Sequence, residues 1–498
     1  MEEKHRIGAD KTSIRLSLQP VDKAFGAGGL NFECSNFRTT MCTMSNCCVA
    51  FFKRSYATKT KLTTVFNEDV RQMVSREEIK ARKHPGRCNL KAKPFPDNLA
   101  DAVLKTLKGG QLKNVMSDSK LLLNYLHSRH SPVEQSEIME KKQQNRVELE
   151  KRYYSENMSE EQQIKFEKFI NNRVERLVAQ RTYNWKPIDY SNKHVCHQYL
   201  LSRIAPEYNV INTIFNELQQ RDPNFAPESL FDFGSGIGTV TLNAKNIWAD
   251  SLKEYYCVDT SSTMNDLAKL LLQEGNPNNE NILPKGLFYR QFLPASPNLK
   301  FDLVVSAYTL FELPDIKNRF ETLLNLWNKT KKYIVLVEMG TRAGFNLINE
   351  ARDLLLEISS QNNNKSHVFS PCPHEHSCPR YDTDDTPCNF EVSYYTPRIA
   401  QQSVIKRELF SYVIIKKGKR LNNDEQWPRI VRPVLVRSKH SICRMCTSSG
   451  KLQEIIFTAS KNGKIPYWCA RSSKWGDRLP VVIKEEVEGE EEEKSEQN

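Results

Sequence analysis

The sequence lacks the long apolar stretch that a membrane-spanning helix needs. No run of 18 apolar residues occurs in its 498 residues, whereas a spanning helix takes about 20. Apolar residues still make up 39% of the chain, which is enough for a packed core and excludes a wholly disordered protein. We therefore expect a protein with no membrane contact and, from its length, about two to three domains.

Cysteine is too dilute for a disulfide-stabilised scaffold. The chain holds 13 cysteines in 498 residues, whereas small disulfide-rich proteins are far denser in cysteine. No secretory signal is visible. Thiols that cluster in a reducing compartment are typical of metal sites rather than disulfides.

Acidic residues are missing from positions 35–67. This segment is rich in Ser and Thr and carries five cations: Arg38, Lys53, Arg54, Lys59 and Lys61. Such a composition is typical of a mitochondrial transit peptide, so we expect import into the mitochondrial matrix. Because residues 1–33 do contain Asp and Glu, translation is expected to begin at Met41 or Met44. A disordered basic arm is the alternative.

The charge of the chain is positive and unevenly placed. The net charge is +12, although residues 484–498 contain eight Glu and only two Lys. A strongly basic remainder favours a polyanionic partner, nucleic acid first; the alternative is a basic protein with no nucleic-acid role. The Glu-rich end is typical of a solvated, disordered tail.

Apolar spacing divides the middle of the chain into helical and α/β parts. Apolar positions recur at helical spacing through residues 96–182, which predicts a helical region. Residues 199–221 predict a pair of amphipathic helices broken near Pro206. From residue 230, short apolar runs alternate with helices, the pattern of an open parallel α/β sheet.

A glycine-rich turn lies between the first of these strands and its helix. In LFDFGSGIGTVTLNAKNIW (230–248), Gly234, Gly236 and Gly238 permit a sharp turn and a close approach of a ligand to the backbone. The helix that begins near Thr239 would point its amides at that ligand. Asp259, about 20 residues further on at the end of the next strand, suits hydrogen bonds to ribose hydroxyls.

The order of these motifs resembles the class I methyltransferase fold. FDFGSGIG is followed by CVD, then FDLVVSAYTLFELPD, then KYIVLVEMG. In that fold the loop and the acid hold S-adenosylmethionine. A nicotinamide dehydrogenase is a weaker alternative, since the full G-x-G-x-x-G spacing is absent. A Rossmann-like domain that has lost its ligand is the third.

Residues that would carry out methyl transfer are not evident. An amino-group methylase places an Asn/Asp-Pro-Pro-aromatic turn after its fourth strand, where this chain reads Ser306-Ala307-Tyr308-Thr309; a planar amine would lack its usual acceptors. The pair Pro371-Cys372 superficially resembles a cytosine-methylase nucleophile. It lies within a cysteine cluster, so metal binding accounts for it better.

Three cysteines occur within 17 residues of a proline-rich loop. SPCPHEHSCPRYDTDDTPCNF (370–390) contains Cys372, Cys378 and Cys388, and CRMC supplies Cys443 or Cys446 as a fourth thiol. Four thiolates can bind zinc or an iron–sulfur cluster, and spacing alone does not separate the two. His374 and His376 are alternative zinc ligands, and free thiols are the alternative to any metal.

Together these motifs resemble the methyltransferase-like protein 17 family of mitochondrial small-subunit ribosome assembly factors. The resemblance covers about residues 196–480. It is carried by DFGSGIGTV, FELPD, VEMGTRAGFNLINEAR, SPCPHEHSCP, CNF, ELFSYVIIKKG and CARSSKWGDRLP, which occur in this order. Family members are expected to act mainly as assembly factors on small-subunit ribosomal RNA, with methyl transfer weak or lost in some of them.

The resemblance implies two cofactors and a set of ligands. It implies a [4Fe–4S] cluster, with zinc as the alternative, on Cys372, Cys378, Cys388 and Cys446. Cys446 is favoured over Cys443 because the family motif reads Cys-x-x-x-Gly. It implies S-adenosylmethionine on Asp232, Gly234, Ser235, Gly236, Gly238 and Asp259. Catalytic residues are not assigned. The implied partners are the mitochondrial small ribosomal subunit and its rRNA, with a monomer away from the ribosome. An active rRNA methyltransferase is the alternative function, and a metal-stabilised nucleic-acid-binding module without S-adenosylmethionine is the third.

Cations surround the fourth-cysteine region and fit an RNA role. They are Lys416, Lys417, Lys419, Arg420, Arg429, Arg432, Arg437 and Lys439. Such residues can neutralise phosphates and make binding salt-dependent. Tyr467, Trp468 and Trp475 could stack on unpaired bases, but we expect the Trp residues in the core.

The expected fold class is α/β: a class I methyltransferase (Rossmann-like) sheet with an N-terminal helical region and a C-terminal cysteine-rich metal-binding part. The predicted division is an N-terminal disordered region with the transit peptide (1–66), a helical region (67–195), a methyltransferase-like domain (196–365), a cysteine-rich RNA-contacting part (366–483) and an acidic disordered tail (484–498).

Overall fold

The computed structural model describes most of the chain after its first 60 residues. The described ranges are 61–89, 91–108, 112–130, 134–154, 158–179, 185–296, 298–361, 365–383, 386–399, 402–421 and 424–486. The predicted start sites and most of the predicted transit peptide and acidic tail lie outside them.

Thirteen helices and fourteen strands are present in the described ranges. The helices are α1 (Glu68–Ser75), α2 (Asp97–Leu107), α3 (Leu112–Ser128), α4 (Gln135–Tyr153), α5 (Glu160–Ala179), α6 (Lys193–Arg221), α7 (Thr239–Ile247), α8 (Ser262–Leu272), α9 (Ile316–Lys329), α10 (Arg342–Gln361), α11 (Pro379–Thr383), α12 (Ala459–Asn462) and α13 (Lys464–Ser472). The strands are β1 (Lys61–Phe66), β2 (Ser229–Phe233), β3 (Glu254–Val258), β4 (Leu287–Arg290), β5 (Phe301–Ala307), β6 (Thr330–Met339), β7 (Ser366–Ser370), β8 (Phe390–Tyr395), β9 (Ile405–Lys417), β10 (Arg429–Ile430), β11 (Leu435–Val436), β12 (His440–Cys446), β13 (Leu452–Thr458) and β14 (Val481–Glu486).

An eight-stranded sheet forms the centre of the described structure. Its order is β4-β3-β2-β5-β6-β9-β7, and β8 also pairs with β9. The five strands from β4 to β6 are parallel, whereas β9 runs antiparallel to β6 and β7. The chain reverses its direction of winding between β2 and β5, as in a doubly wound Rossmann-like fold. The open parallel α/β sheet predicted from residue 230 onward is confirmed for the strands from β4 to β6, whereas the sheet as a whole is mixed because β9 is antiparallel to its neighbours.

The central strands are apolar because the sheet is covered on both faces. β5 is buried over its first six residues and β6 over its last seven, as parallel strands between helical layers require. One side packs with α6 and α7, through Phe215 and Trp248 among others. The opposite side packs with α9 and α10, through Leu326 and Leu355.

The N-terminal helices confirm the helical prediction for residues 96–182 within the described ranges. α2 and α3 bury Val103 and Val115 against α6 and α8. α4 and α5 pair with each other around a small core that includes Ile170.

The predicted break near Pro206 was wrong. α6 is a single helix of 29 residues with Pro206 inside it. Proline removes one backbone hydrogen bond, but Ile204, Ala205 and Tyr208 beside it are buried in the core. Packing on several sides therefore outweighs the local cost.

A second core joins the two ends of the described chain. β1 pairs antiparallel with β14, and β12 pairs with β10, β11 and β13. Phe66 from β1 lies in the same apolar cluster as Met445 and Phe457. The predicted domain boundaries at residues 66 and 483 fall within the β1–β14 sheet. Among the described residues, no helix is long and apolar enough to cross a membrane.

Candidate functional site

The glycine turn after β2 adopts a backbone conformation that glycine favours. Gly234, Gly236 and Gly238 have φ values of 71°, 47° and 77°, all in the left-handed region that side chains with a Cβ rarely adopt. Gly238 is the N-terminal cap of α7, so the helix begins at Thr239. The predicted strand, turn and helix are therefore all present.

Gly234 and Gly236 differ in how closely other residues pack against them. A Cβ placed on Gly234 would lie 2.0 Å from the Oγ1 of Thr309, whereas one on Gly236 would meet nothing nearer than 3.8 Å. Thr309 follows β5, and its hydroxyl donates to the carbonyl of Phe233 at 3.2 Å. The turn is thus packed against the end of β5 and open at Gly236.

Substitution of Gly234 tests this close packing. Gly234→Ala is expected to lower the free energy of unfolding by more than the roughly 1–3 kcal/mol that left-handed strain costs alone, because the methyl group also meets Thr309. Gly418→Ala is the control, since Gly418 has a φ of 115° and a methyl group added there would have nothing within 4 Å. Urea unfolding measures both. Equal losses in the two variants would contradict the packing.

Asp259 lies beside the turn, as predicted. It follows β3, and its carboxylate accepts hydrogen bonds from the amides of Gly236 and Ser261, each at 2.9 Å. Burial raises the pKa of Asp259, and the two amides oppose that rise. The carboxylate is thereby fixed at the edge of the glycine turn.

Four carboxyl groups gather at the carboxyl ends of the parallel strands. Asp232 lies in β2, Asp259 follows β3, Glu312 follows β5 and Glu338 is in β6. Burial is the largest cause that raises the pKa of each, to about 8 for Asp232 and Glu338. Asp259 further raises the pKa values of Asp232 and Glu312. We call these four residues the acidic cluster.

Arg129 is the cation beside the acidic cluster that sequence reasoning missed. It follows α3, and its guanidinium lies 2.6 Å from Glu312. Its charge also opposes the raised pKa of Glu338. Glu312 and Glu338 were missed as site residues too, although they lie in the quoted motifs FELPD and VEMG. The signal that could have identified Glu312 and Glu338 is an acidic residue at or just after the end of an apolar strand. The sequence around Arg129 contains no comparable signal.

Buried polar atoms at this edge lack partners among the described residues. They include the Oδ1 of Asp232, the Oγ of Ser235 and the Oε2 of Glu338. Buried polar groups in proteins are nearly always hydrogen-bonded. These atoms, with an excess of carboxyl groups over cations, suit a polar ligand that carries positive charge.

The structure brings Cys372, Cys378, Cys388 and Cys446 together. After burial, which is the largest cause, charges on the other three thiols raise the pKa of Cys446. Burial and the charge on Cys372 raise the pKa of Cys378 to about 11, and Cys388 responds in the same direction to Cys378 and Cys372. Thiols of the proline-rich loop and of β12, which are up to 74 residues apart in the sequence, therefore lie near one another in the fold.

Cys443 and Cys446 point to different surroundings. They are three residues apart in β12, so their side chains lie on opposite faces of the strand. Cys443 is buried in the apolar cluster that contains Met445 and Phe457. Cys446 lies beside His374, whose Nε2 is 3.2 Å from its sulfur.

Arg352 of α10 holds the proline-rich loop. Its guanidinium donates to the carbonyls of His374 and His376 at 3.2 and 2.7 Å. Burial alone would lower its pKa, but charges that include those on Cys372 and Cys378 raise it. In the part of the chain that the structure describes, no three Cys, His, Asp or Glu side chains are placed to hold one metal ion.

At least five of the eight predicted RNA-contacting cations are engaged within the protein, among them Arg432, whose guanidinium lies 5.9 Å from the ring of Trp475. Lys416 pairs with Asp222 at 2.9 Å, Lys417 donates to two carbonyls, Arg420 pairs with Glu375, and Arg429 is buried. The exposed ones include Lys419, Arg437 and Lys439.

The prediction that the Trp residues belong to the core was wrong for Trp468. Its side chain is 53% exposed. Trp475 is partly buried and packs against the core of the large sheet.

Solved structures similar to this one are methyltransferases, at low similarity. The plantazolicin methyltransferase BpumL with S-adenosylhomocysteine has a TM-score of 0.30, 15% identity, and covers 51% of this chain and 99% of its own. Magnesium protoporphyrin IX methyltransferase from Synechocystis, with bound S-adenosylmethionine, has a TM-score of 0.26, 13% identity, and covers 53% and 100%. The strand order, rather than these likenesses, carries the fold assignment.

Sequence comparison gives a much stronger result. Human "Ribosome assembly protein METTL17, mitochondrial" is 39% identical over 404 residues, which cover 80% of this chain and 86% of the relative. "Ribosome assembly protein RSM22, mitochondrial" of Saccharomyces cerevisiae is 21% identical over 58% of this chain and 68% of its own. The family model described as mitochondrial small ribosomal subunit Rsm22 matches residues 193–480. The chain belongs to the Rsm22 family.

Proposed function

We propose that this protein is an assembly factor of the mitochondrial small ribosomal subunit that acts in the matrix and binds small-subunit rRNA. The observation that carries the proposal is the family match over residues 193–480, since relatives from human and yeast are named mitochondrial ribosome assembly proteins. It further binds S-adenosylmethionine and a [4Fe–4S] cluster, with little or no methyl transfer.

The acidic cluster and the glycine turn support S-adenosylmethionine as the ligand. The position of the antiparallel strand β9 between β6 and β7 in the sheet is the one expected of a class I methyltransferase fold. When bound, S-adenosylmethionine supplies a methyl group on a cationic sulfur. Asp259 would accept from ribose hydroxyls, and the open face at Gly236 lets the ligand approach the backbone. Asp232, Gly234, Ser235 and Gly238 complete the proposed ligand set.

Binding is expected to strengthen with pH because two members of the acidic cluster, Asp232 and Glu338, are largely protonated at neutral pH. The pKa values of Asp232 and Glu338 are raised to about 8, so a cationic ligand must displace protons below that pH. The affinity ratio of S-adenosylmethionine to S-adenosylhomocysteine, which lacks the sulfonium charge, should rise up to about tenfold per pH unit for each proton released. Calorimetry from pH 6.5 to 8.5 measures this.

Asp232→Asn is the matched variant for this titration. It removes one of the two groups whose pKa is raised to about 8 while keeping the size of the side chain, so the affinity ratio should depend less on pH. A ratio that is independent of pH in the wild-type protein would contradict the role of the acidic cluster.

The end of β5 supports binding without turnover. Tyr308 occupies the position where an amino-group methylase carries its acceptor turn, and it is buried with a φ of 59°. The guanidinium of Arg203 lies 5.0 Å from its ring, and burial holds the pKa of Tyr308 well above its usual value. A phenol in this state is a poor base. An active rRNA methyltransferase is the second candidate, favoured by the intact glycine turn and acidic cluster.

The four converging thiols support a [4Fe–4S] cluster on Cys372, Cys378, Cys388 and Cys446. All-thiolate ligation suits such a cluster. Zinc, which four thiolates bind with each sulfur about 2.3 Å from the metal, is the alternative occupant. The cluster would tie the proline-rich loop to β12 and so contribute to folding.

Ribosome profiles test the assembly function. Depletion of the protein should deplete mature small subunits and leave large subunits, and re-expression should restore them. An Asp259→Ala variant that restores assembly without a methyl mark on small-subunit rRNA supports the assembly factor over the enzyme. Normal small-subunit levels after depletion would contradict the proposal.

A further inference from the structure

One surface of the C-terminal part combines an exposed aromatic ring with cations. Trp468 on α13 is 53% exposed, and Lys464 lies one helical turn before it and is also exposed. Arg437 and Lys439 are exposed in the turn between β11 and β12. We call these four residues the Trp468 patch.

The turn and the helix are held together by direct contacts. Arg471 on α13 donates to the carbonyl of Arg437 and, at 3.0 Å, to the hydroxyl of Tyr467. Tyr467 is buried in the C-terminal core, and its ring centroid lies 5.4 Å from that of Trp468. Lys464, Trp468 and Arg471 have the spacing of one helix face. The buried ring of Tyr467 therefore packs near the indole of Trp468, and the contacts of Arg471 hold α13 beside the turn that carries Arg437 and Lys439.

The segment of sequence that carries most of the C-terminal part is almost entirely positive in charge. Residues 426–476 contain ten Lys and Arg residues and a single acid, Glu454. Glu454 is paired with Arg444 at 2.9 Å. A surface with this imbalance attracts a polyanion.

We propose that the Trp468 patch binds single-stranded RNA, with one unpaired base stacked on the indole of Trp468 and the flanking phosphates neutralised by Arg437, Lys439 and Lys464. Every base has a π-face, so such stacking tolerates different sequences. This inference rests on the proposed rRNA-binding function and assigns the surface that performs it. RNA fits better than an acidic protein segment because an exposed, supported ring among cations matches a base between phosphates.

Binding of a short single-stranded oligoadenylate RNA to the full chain tests the patch. Trp468→Ala should weaken binding about 5- to 150-fold, the effect of losing one stacked base, and Trp468→Phe should retain part of the affinity. Lys439→Gln should reduce the slope of log affinity against log salt by about 0.7, the value for one phosphate contact on a single strand. Ultraviolet crosslinking should attach the RNA to α13 or to the β11–β12 turn.

Tyr154→Ala is the control, because Tyr154 is 60% exposed just after α4 and lies outside the patch. Circular dichroism checks that each variant is folded. If the wild type binds RNA and Trp468→Ala binds it equally well, the proposed role of the Trp468 patch is overturned. The same holds if an acidic peptide displaces the RNA and neither Trp468 variant changes the affinity. No RNA binding by the wild type would instead overturn the proposed rRNA-binding function.

Discussion

Serine in place of Cys446 is expected to remove the proposed metal centre and most of the folded protein together. Cys446 is the proposed ligand that would join β12 to the proline-rich loop, and its sulfur is close to the other three thiols. Ligation and folding are coupled in sites of this kind. Iron content and the yield of soluble protein after anaerobic purification measure the effect, and both should fall several-fold.

Cys443→Ser is the matched control because it lies in the same strand. Its side chain is buried among apolar residues, so the change should cost stability, about 1–3 kcal/mol for a hydroxyl without a partner, and leave the iron content per folded chain unchanged. Loss of iron in Cys443→Ser with retention in Cys446→Ser would exchange the two roles and contradict the assigned ligand set.

Removal of the Arg429 side chain is expected to be the most damaging change outside the metal ligands. Arg429 pairs with Glu217 of α6, and it donates to the carbonyl of Pro371 at 3.2 Å. Both charged side chains are almost fully buried. Arg429→Met would leave the buried Glu217 without its main cationic partner and with only Arg221, at 3.4 Å, remaining, at a cost approaching the roughly 3–5 kcal/mol of breaking a buried pair. Because Pro371 adjoins Cys372, the pair also positions the cysteine loop against the large sheet.

Urea unfolding compares this loss with that of an exposed pair. Arg444→Met breaks the exposed pair with Glu454 and should cost about 0–1 kcal/mol. Adding Glu217→Gln to Arg429→Met should recover part of the loss, since no unpaired charge then remains. Similar losses for Arg429→Met and Arg444→Met would contradict the role of the buried pair.

The pair of Arg429 and Glu217 predicts that the free energy of unfolding depends on pH. Burial opposes ionisation of Glu217, but Arg429 and Arg221 outweigh it and lower the pKa to about 2 from 4.5. A carboxyl group with a depressed pKa stabilises the fold fully above its unfolded value and loses that contribution as the pH falls. The wild type should therefore lose stability between about pH 4.5 and pH 2, and this loss should be smaller in Arg429→Met, where Arg221 still lowers the pKa of Glu217.

Features set by neighbouring residues could be predicted from the sequence. The glycine turn, the start of α7 and the position of Asp259 all follow from spacing within one βαβ unit. The parallel arrangement of the central strands followed from the alternation of apolar runs and helices. These features require little information from distant parts of the chain.

Features set by distant contacts could not be predicted in this way. The pairing of β1 with β14 joins residues that are about 400 positions apart. α6 continues through Pro206 because its surroundings are buried, a condition that the local pattern does not contain. Arg129 reaches Glu312 from a separate helical region. In each case tertiary packing overrides or supplements local preference.

The cysteine site lies between these two cases. The proline-rich loop indicated three thiols, while the choice between Cys443 and Cys446 depended on which face of β12 meets that loop. The strand's alternation places one thiol in the core and the other beside His374. Residue spacing suggested a metal site, and the structure brings the four thiols of the proposed ligand set near one another.

Iron, acid-labile sulfide and zinc, measured on the same anaerobically purified full chain, test whether the four thiols bind a [4Fe–4S] cluster. We expect iron and sulfide in equal amounts, close to four of each per chain, and no zinc. Iron and sulfide should both be lost in Cys446→Ser. One zinc per chain and no sulfide would contradict the proposed cluster.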